Sequence, residues 1–429
     1  MAGQPLAKAR RLVSLGRHYR PDPRHPTLGD DFYDVVEAAE FPRADLRFRN
    51  QRWAERVGLG DLDDAEWLDH FAAFAQLPEN IPEPLALRYH GHQFRSYNPD
   101  LGDGRGFLFA QLRDREDGRL LDLATKGSGQ TPWSRGGDGR LTLKGGVREV
   151  LATEMLEALG VYTSKSFSLI ETGEALERGD EPSPTRSSVL VRLGHSHVRF
   201  GSFQRQATLR RPDNVEKLVT YSIATYFPDL ANESDPIPAF LARVVQRSAD
   251  LAASWMIAGF VHGVLNTDNL NITGESFDYG PYRFLPRFEA GFTAAYFDHS
   301  GLYAYGRQPA NVAWNLERLA ETLLDLCPRE RLSEVLGAYQ PQMNARYCWR
   351  MLERLDLAAK DPEARAWQAR NAATSDPEDA VPEDVVALTN GVTKFLDESR
   401  VGFEQFFFDW YGGAASAERA RRSPEAENY

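Results

Sequence analysis

Apolar residues fall in short runs over the first half of the chain and recur at helical spacing over the second. Residues 107–112 (FLFAQL) and 120–125 (LLDLAT) are two such runs, parted by a charged turn at 114–118, which predicts a pair of strands. Residues 167–171 and 188–193 are two further β-like segments, with a polar, proline-containing loop over 178–187 between them. An amphipathic helix is predicted from about 146 to 159, because Val147, Leu151, Met155 and Leu159 recur at helical spacing and Gly160 is a natural stop. Residues 32–60 read as irregular structure followed by a short helix. From about 212 onward the pattern is mostly helical, with long helices expected at 239–260 and 311–327. A strand-rich half followed by a helix-rich half predicts an α+β protein of two lobes with a cleft between them. The expected division is a flexible basic arm (1–31), an N-lobe (32–205), a helical C-lobe (206–413) and a poorly ordered tail (414–429). The polar, acidic stretch 371–385 is expected to be a surface loop.

Composition narrows the function classes. A chain of 429 residues is too long for one core of ordinary size. Its formal charge of −12 argues against general nucleic-acid binding, which needs a basic surface. Between Lys126 and Arg211, however, 13 Lys/Arg face 9 Asp/Glu. Such an excess suits a small anionic ligand, although uneven solvated faces would read the same way. Residues 1–29 hold six Lys/Arg and one acidic residue, a faint imitation of a transit peptide without the apolar core of a secretory signal. Cys327 and Cys348 lack zinc or disulfide-framework spacing and are expected to be buried thiols. No apolar run approaches the ~20 residues that span a bilayer. A cytoplasmic monomer with neither membrane nor nucleic-acid partners is the expectation.

Several residues could carry chemistry. The glycines of Leu101-Gly102-Asp103-Gly104-Arg105 would let backbone amides approach an anion, or simply make a turn. A second Gly-Asp-Gly-Arg stands at Gly137-Asp138-Gly139-Arg140. Lys126 ends a predicted strand, and Glu149 lies on the helix that follows. A strand lysine held by a helix glutamate is how protein kinases fix a cation on nucleotide phosphates; Glu149 could also be a surface residue near Arg148. The strongest local pattern is His262-Gly263-Val264-Leu265-Asn266-Thr267-Asp268-Asn269, followed by Asp278-Tyr279-Gly280. Laid over the kinase loop H-R-D-L-x-x-x-N and its D-F-G, His262, Leu265, Asn269 and Asp278 coincide, and Val264 stands where the catalytic aspartate should be. Asp268 is a carboxylate four residues on that could orient or deprotonate a hydroxyl. Asn269 and Asp278 supply the oxygen ligands that Mg²⁺ prefers. A site that only binds ATP is the other reading of the missing aspartate. Arg192 and Arg199 are suited to bidentate phosphate contacts, but need not share a strand face unless the chain bends near Gly194. His195 and His197 between them read as hydrogen-bonding residues.

Taken in order, Tyr89-His90-Gly91-His92-Gln93-Phe94, the Lys126-to-Glu149 stretch with Thr131-Pro132-Trp133-Ser134-Arg135, His197-Val198-Arg199-Phe200-Gly201 and the His262-to-Asn269 loop resemble the selenoprotein O (SelO/YdiU) family of kinase-fold protein nucleotidyltransferases. The resemblance runs from about residue 32 to 413. It implies transfer of AMP from ATP, with Mg²⁺ or Mn²⁺, to Ser, Thr or Tyr hydroxyls of proteins, some members transferring UMP instead. It also implies a nucleotide flipped relative to ordinary kinases, which gives Arg192 and Arg199 a task on the phosphate tail. On that resemblance Lys126 holds phosphate and pairs with Glu149. Gly102, Gly104, Arg105, Asp138, Gly139, Arg192 and Arg199 line the nucleotide, Asp268 is the base, and Asn269 and Asp278 hold the metal. Two departures stand out. Residues 291–295 (GFTAA) and the sequence after Gly413 lack the cysteines through which bacterial members can form a regulatory disulfide, so no such control is expected. The arginine-asparagine segment near the family's C-terminal end is not recognisable either.

Overall fold

A computed structural model describes residues 15–179, 181–358, 381–413 and 417–422. The strands of the N-terminal half, in chain order, are β1 (Tyr33–Val35), β2 (Asp45–Arg49), β3 (Leu85–Leu87), β4 (Gly91–Gln93), β5 (Ser96–Asn98), β6 (Leu108–Arg113), β7 (Leu120–Lys126), β8 (Leu141–Thr142), β9 (Lys165–Leu176) and β10 (Thr185–Gly194). Of these, all but the β4–β5 hairpin form one antiparallel sheet in the order β1-β3-β6-β7-β10-β9-β2, with β8 against β10, and a separate antiparallel pair, β11 (Phe260–Val261) with β12 (Arg283–Phe284), lies in the C-lobe. Alternation along β10 assigns the two faces of this sheet. Val189, Val191 and Leu193 pack with Trp53 of helix α1 (Gln51–Arg56) and with Trp67 and Phe71 of helix α2 (Asp64–Phe71). Leu190 points the other way, toward Leu141 and Leu169, on the side covered by helix α3 (Leu143–Ala158).

The C-lobe is helical: α4 (Phe200–Thr208), α5 (Pro212–Tyr226), α6 (Pro236–Ile257), α7 (Gln308–Glu321), α8 (Arg329–Gly337), α9 (Tyr339–Arg354), α10 (Glu383–Ser399) and α11 (Phe403–Asp409). Helix α6 is apolar on most sides and forms its centre. Its Phe240, Val244 and Trp255 are fully buried with Leu316 and Leu319 of α7. The α+β class and the lobe order follow the sequence pattern.

Several expectations need correction. Residues 32–60 contain β1 and β2 in addition to the short helix, and β10 begins inside the expected 178–187 loop. The arm expected over 1–31 lies outside the described residues up to residue 14, and from there it is packed. Asp22 N donates to the Gln111 carbonyl (3.1 Å), Arg113 N donates to the Arg20 carbonyl (2.9 Å), and Leu28 is buried in the main core. Of the loop expected over 371–385, residues 371–380 lie outside the described residues, and α10 starts at Glu383. Within the expected tail, Ala417–Arg422 is a helix, and 414–416 and 423–429 lie outside the described residues. Helix α3 is turned opposite to its amphipathic pattern. It buries Gly146, Glu149, Ala152, Thr153 and Leu156, whereas Val147 and Leu151 are 43% and 60% exposed. Cys327 and Cys348 are buried free thiols.

Candidate active site

The site is assembled on the sheet face covered by α3. In the β7–β10 register Lys126 lies opposite Leu190 and Ala124 opposite Arg192, so Lys126 and Arg192 project from one face. Lys126 Nζ donates to Glu149 of α3 and to Asp278 Oδ1, the latter at 2.5 Å. Arg192 Nη1 reaches the same oxygen at 3.4 Å. The chain leaves β10 at Gly194 and turns before α4, which returns Arg199 to the cleft as the residue preceding that helix. Arg199 Nη1 lies 3.8 Å from Asp278 Oδ2 and donates to the Asp268 carbonyl at 2.8 Å, while Nη2 is 3.3 Å from Asp103 Oδ1. Its guanidinium is 4.5 Å from the Tyr89 ring centroid and 4.8 Å from that of Phe277, so aromatic faces hold the buried cation. Seven residues apart in sequence, the two arginines meet on one carboxylate. Burial alone would raise the Asp278 carboxyl, but Lys126, Arg192 and Arg199 outweigh it and hold the group well below the usual carboxylate range. Asp278 has φ 61°, in the left-handed region that aspartate tolerates better than most residues. His195 and His197, as expected, make hydrogen bonds, to Tyr162 (2.5 Å) and Asp122 (3.1 Å).

The loop from His262 to Asn269 faces this cation cluster. Buried His262 pins both ends of the site: its Nε2 bonds the Phe277 carbonyl at 3.0 Å, next to Asp278. Asn269 Nδ2 donates to the Val264 carbonyl (2.9 Å), so Oδ1 is the side-chain atom that could ligate a metal. Asp268 is only 8% exposed and its Oδ1 has no hydrogen-bond partner. Burial lifts its carboxyl from 3.8 to about 6, against the opposing pull of Arg199. The β4–β5 hairpin braces this loop. His92 N donates to Thr267 Oγ1 (2.7 Å), Thr267 Oγ1 donates to Gln204 Oε1 (2.6 Å), and Gln204 Nε2 closes the ring on His92 Nδ1 (2.8 Å). Gly91 lies so close that a Cβ there would stand 3.0 Å from Asp268 Oδ1.

The two Gly-Asp-Gly-Arg segments form the mouth of a cleft of about 670 Å³. A Cβ on Gly102 would meet the Trp133 ring at 2.4 Å; one on Gly139, whose φ is +69°, would meet the Gly129 carbonyl at 2.1 Å. Each glycine therefore permits one loop to lie directly on another. The exposed Arg105 accepts at its carbonyl from Gly127 N (2.6 Å), tying the first loop to the turn after Lys126. Asp138 pairs with Arg178 at 2.8 Å. Every residue that the resemblance assigns to nucleotide, base or metal lines the cleft except Glu149, which stands behind Lys126; His195, His197 and His262 do not line it. Arg178 and Trp133 also line it and were missed as site residues, as were Tyr89 and Arg135. Tyr89, Trp133 and Arg135 lay inside quoted motifs. Arg178 had no local signal, because its partner Asp138 is 40 residues away in the chain.

Asp278 and Asn269 offer one carboxylate and one amide oxygen. Among the described residues no group of three or more His, Cys, Asp or Glu could hold a metal on its own. Two protein oxygens completed by substrate phosphates and water is the arrangement Mg²⁺ commonly takes, so the donor set fits a nucleotide-borne divalent ion.

Comparison with known proteins identifies the family. The family model described as "Protein adenylyltransferase SelO" matches residues 17–423. A protein nucleotidyltransferase YdiU from Gloeobacter violaceus is 49% identical over 405 residues, covering 94% of this chain and 78% of its own. The namesake from Trichormus variabilis is 48% identical over 391 residues, covering 90% and 75%. A solved structure, ROP2 from Toxoplasma gondii, described as a virulence factor with a protein-kinase fold and no enzymatic activity, covers 73% of this chain and 84% of its own. At 13% identity and a TM-score of 0.29 that likeness is too slight to bear weight. A lysine–glutamate pair facing a metal-competent asparagine and aspartate, together with a family match over nearly the whole length, places the chain in the SelO family of protein nucleotidyltransferases.

Proposed function

We propose that the cleft moves the AMP moiety of ATP to a Ser, Thr or Tyr hydroxyl of an acceptor protein. The observation that carries this reading is the convergence of three buried cations, Lys126, Arg192 and Arg199, on the single carboxylate Asp278. Kinase chemistry places one lysine at this point. Two added arginines supply the charge needed to hold a departing pyrophosphate. In the step proposed, the acceptor oxygen attacks the α-phosphorus and the bond from that phosphorus to the bridging oxygen breaks. Pyrophosphate leaves, and the hydroxyl proton passes to Asp268, whose Oδ1 is unbonded. Gly102, Gly104, Arg105, Asp138 and Gly139 would line the nucleotide, and Glu149 would fix Lys126. Mg²⁺ or Mn²⁺ held by Asn269 Oδ1 and Asp278 would neutralise phosphate charge when bound. With Mn²⁺, UTP could serve as donor and leave UMP on the acceptor.

The enzyme is read as a cytoplasmic monomer without nucleic-acid or membrane partners. The net charge of −12 supports the first exclusion. No helix among the described residues is long and apolar enough to cross a membrane.

The test uses ATP labelled at either the α or the γ phosphate, with Mg²⁺ and Mn²⁺ in parallel. Label from the α position alone is expected on acceptor protein. Label from γ would mean an ordinary kinase, and ATP binding without either label would mean a non-catalytic scaffold.

A further inference from the structure

A groove of about 950 Å³ lies on the N-lobe, lined by none of the cleft residues. Its walls are the extended segment 35–41, the end of α2 with the turn that follows, and residues 82–84. The floor is apolar. Val36, Phe41, Leu68 and Phe74 are half-buried against the core of the sheet, and Val35 at the rim is 55% exposed. All the charge on the lining has one sign: Glu37, Glu40, Asp69 and Glu83 are exposed, and no Lys or Arg lines the groove. Arg–carboxylate pairs are common elsewhere on this surface, yet none of these four carboxylates is in an ion pair with a described residue. An apolar trough rimmed by unneutralised negative charge selects its complement, a segment in which cations alternate with aliphatic side chains. The wall is also tied to the active site, because Ala39 N donates to the Ser128 carbonyl (2.8 Å), two residues beyond Lys126.

We infer that this groove docks a Lys/Arg-rich, aliphatic-interleaved segment of the acceptor protein, its apolar side chains on the floor and its cations on the four carboxylates. Naming the occupant an acceptor rests on the nucleotidyl-transfer reading; the docking itself does not. Residues 1–14 of the chain hold Lys8, Arg10, Arg11, Leu6, Leu12 and Val13 and no acid, so they are the rival occupant.

Fluorescence anisotropy on the full chain decides, with a short labelled peptide alternating Arg/Lys with Leu/Val around one Ser, and a copy in which Glu replaces each cation. The basic peptide is expected to bind, to bind more weakly as salt is added, and to lose at least about tenfold in affinity to the double variant Glu37→Lys/Glu83→Lys. Val35→Ser should weaken it without touching charge. The thermal shift induced by ATP should be the same in all three proteins. Used as an acceptor, the peptide should show a raised KM and unchanged kcat in the charge variant. Binding without any transfer would keep the docking and sink the transfer chemistry. Equal affinity for the acidic copy, or no loss in the variants, would overturn the docking. So would binding that appears only after residues 1–14 are removed, which would assign the groove to that segment.

Discussion

Replacing Asp268 with Asn should make the protein more stable and far less active, and the gain in stability should depend on pH. Burial holds the Asp268 carboxyl at about 6 in the folded chain, against 3.8 for an ordinary aspartate. A carboxyl whose folded pKa lies above its unfolded one binds its proton more tightly when folded. Its favourable contribution is therefore complete below about pH 3.8 and is lost as pH rises through about 6. A rise of this size corresponds to about 3 kcal/mol, as an order of magnitude. Asn cannot ionise and keeps similar volume, so the variant escapes the cost that the wild type bears at neutral pH. Urea unfolding of both proteins without nucleotide, near pH 4 and near pH 8, measures it: the advantage of the variant should grow by about 3 kcal/mol between the two. Titrations elsewhere cancel in the difference. In parallel, wild-type kcat/KM should fall about tenfold for each pH unit below about 6, and the variant should lose about 10²–10⁴ in transfer. A stability difference that is the same at both pH values would refute the assignment of Asp268 as a buried, costly carboxylate held for chemistry.

Three other substitutions probe the remaining parts. Glu149→Gln leaves Lys126 paired only with Asp278, and should raise KM for ATP about tenfold or more in steady-state assays, with a fold unchanged by circular dichroism. Asp278→Ala removes the carboxylate that three buried cations share; Lys126 keeps Glu149 and Arg199 keeps Asp103, and Arg192 is left without an ion pair among the described residues. The substitution should destabilise the protein by about 2–4 kcal/mol in urea and abolish the Mn²⁺ binding seen by electron paramagnetic resonance in the presence of ATP. Gly102→Val drives a side chain into Trp133 and should weaken ATP binding in calorimetry far more than it lowers the melting temperature.

The parts of the site that could be read from the sequence are those where spacing within one segment sets geometry. His262 and Asn269 share a loop, and Asp278 follows closely, so a known spacing locates all three. The strands at 107–112 and 120–125 were visible because both are apolar runs bounded by turn residues. By contrast, β1 and β2 are three and five residues long, with half-exposed positions and no continuous apolar run. They exist because β3 and β9 offer edges, and this tertiary cause leaves little local mark. The meeting of Arg192 with Arg199 and of Arg178 with Asp138 depends in the same way on how the chain returns, and no spacing rule contains it.

Helix α3 shows why the pattern can invert at a functional site. An amphipathic helix buries its apolar stripe when packing alone decides its rotation. Here Glu149 must face Lys126, and at 100° per residue that choice fixes every other side chain. Residues three, four and seven along from Glu149 are Ala152, Thr153 and Leu156, and all are buried. Gly146, one turn earlier, is buried because a Cβ would stand 2.4 Å from Leu169. Val147 and Leu151 are then carried outward by geometry. A paired ion inside the cleft has outweighed the exposure of two aliphatic side chains, a few kcal/mol at most. The displaced stripe is thus the sequence-level trace of the Lys126–Glu149 pair: where hydrophobic periodicity and burial disagree by half a turn, a buried charge on the same helix is the feature to look for.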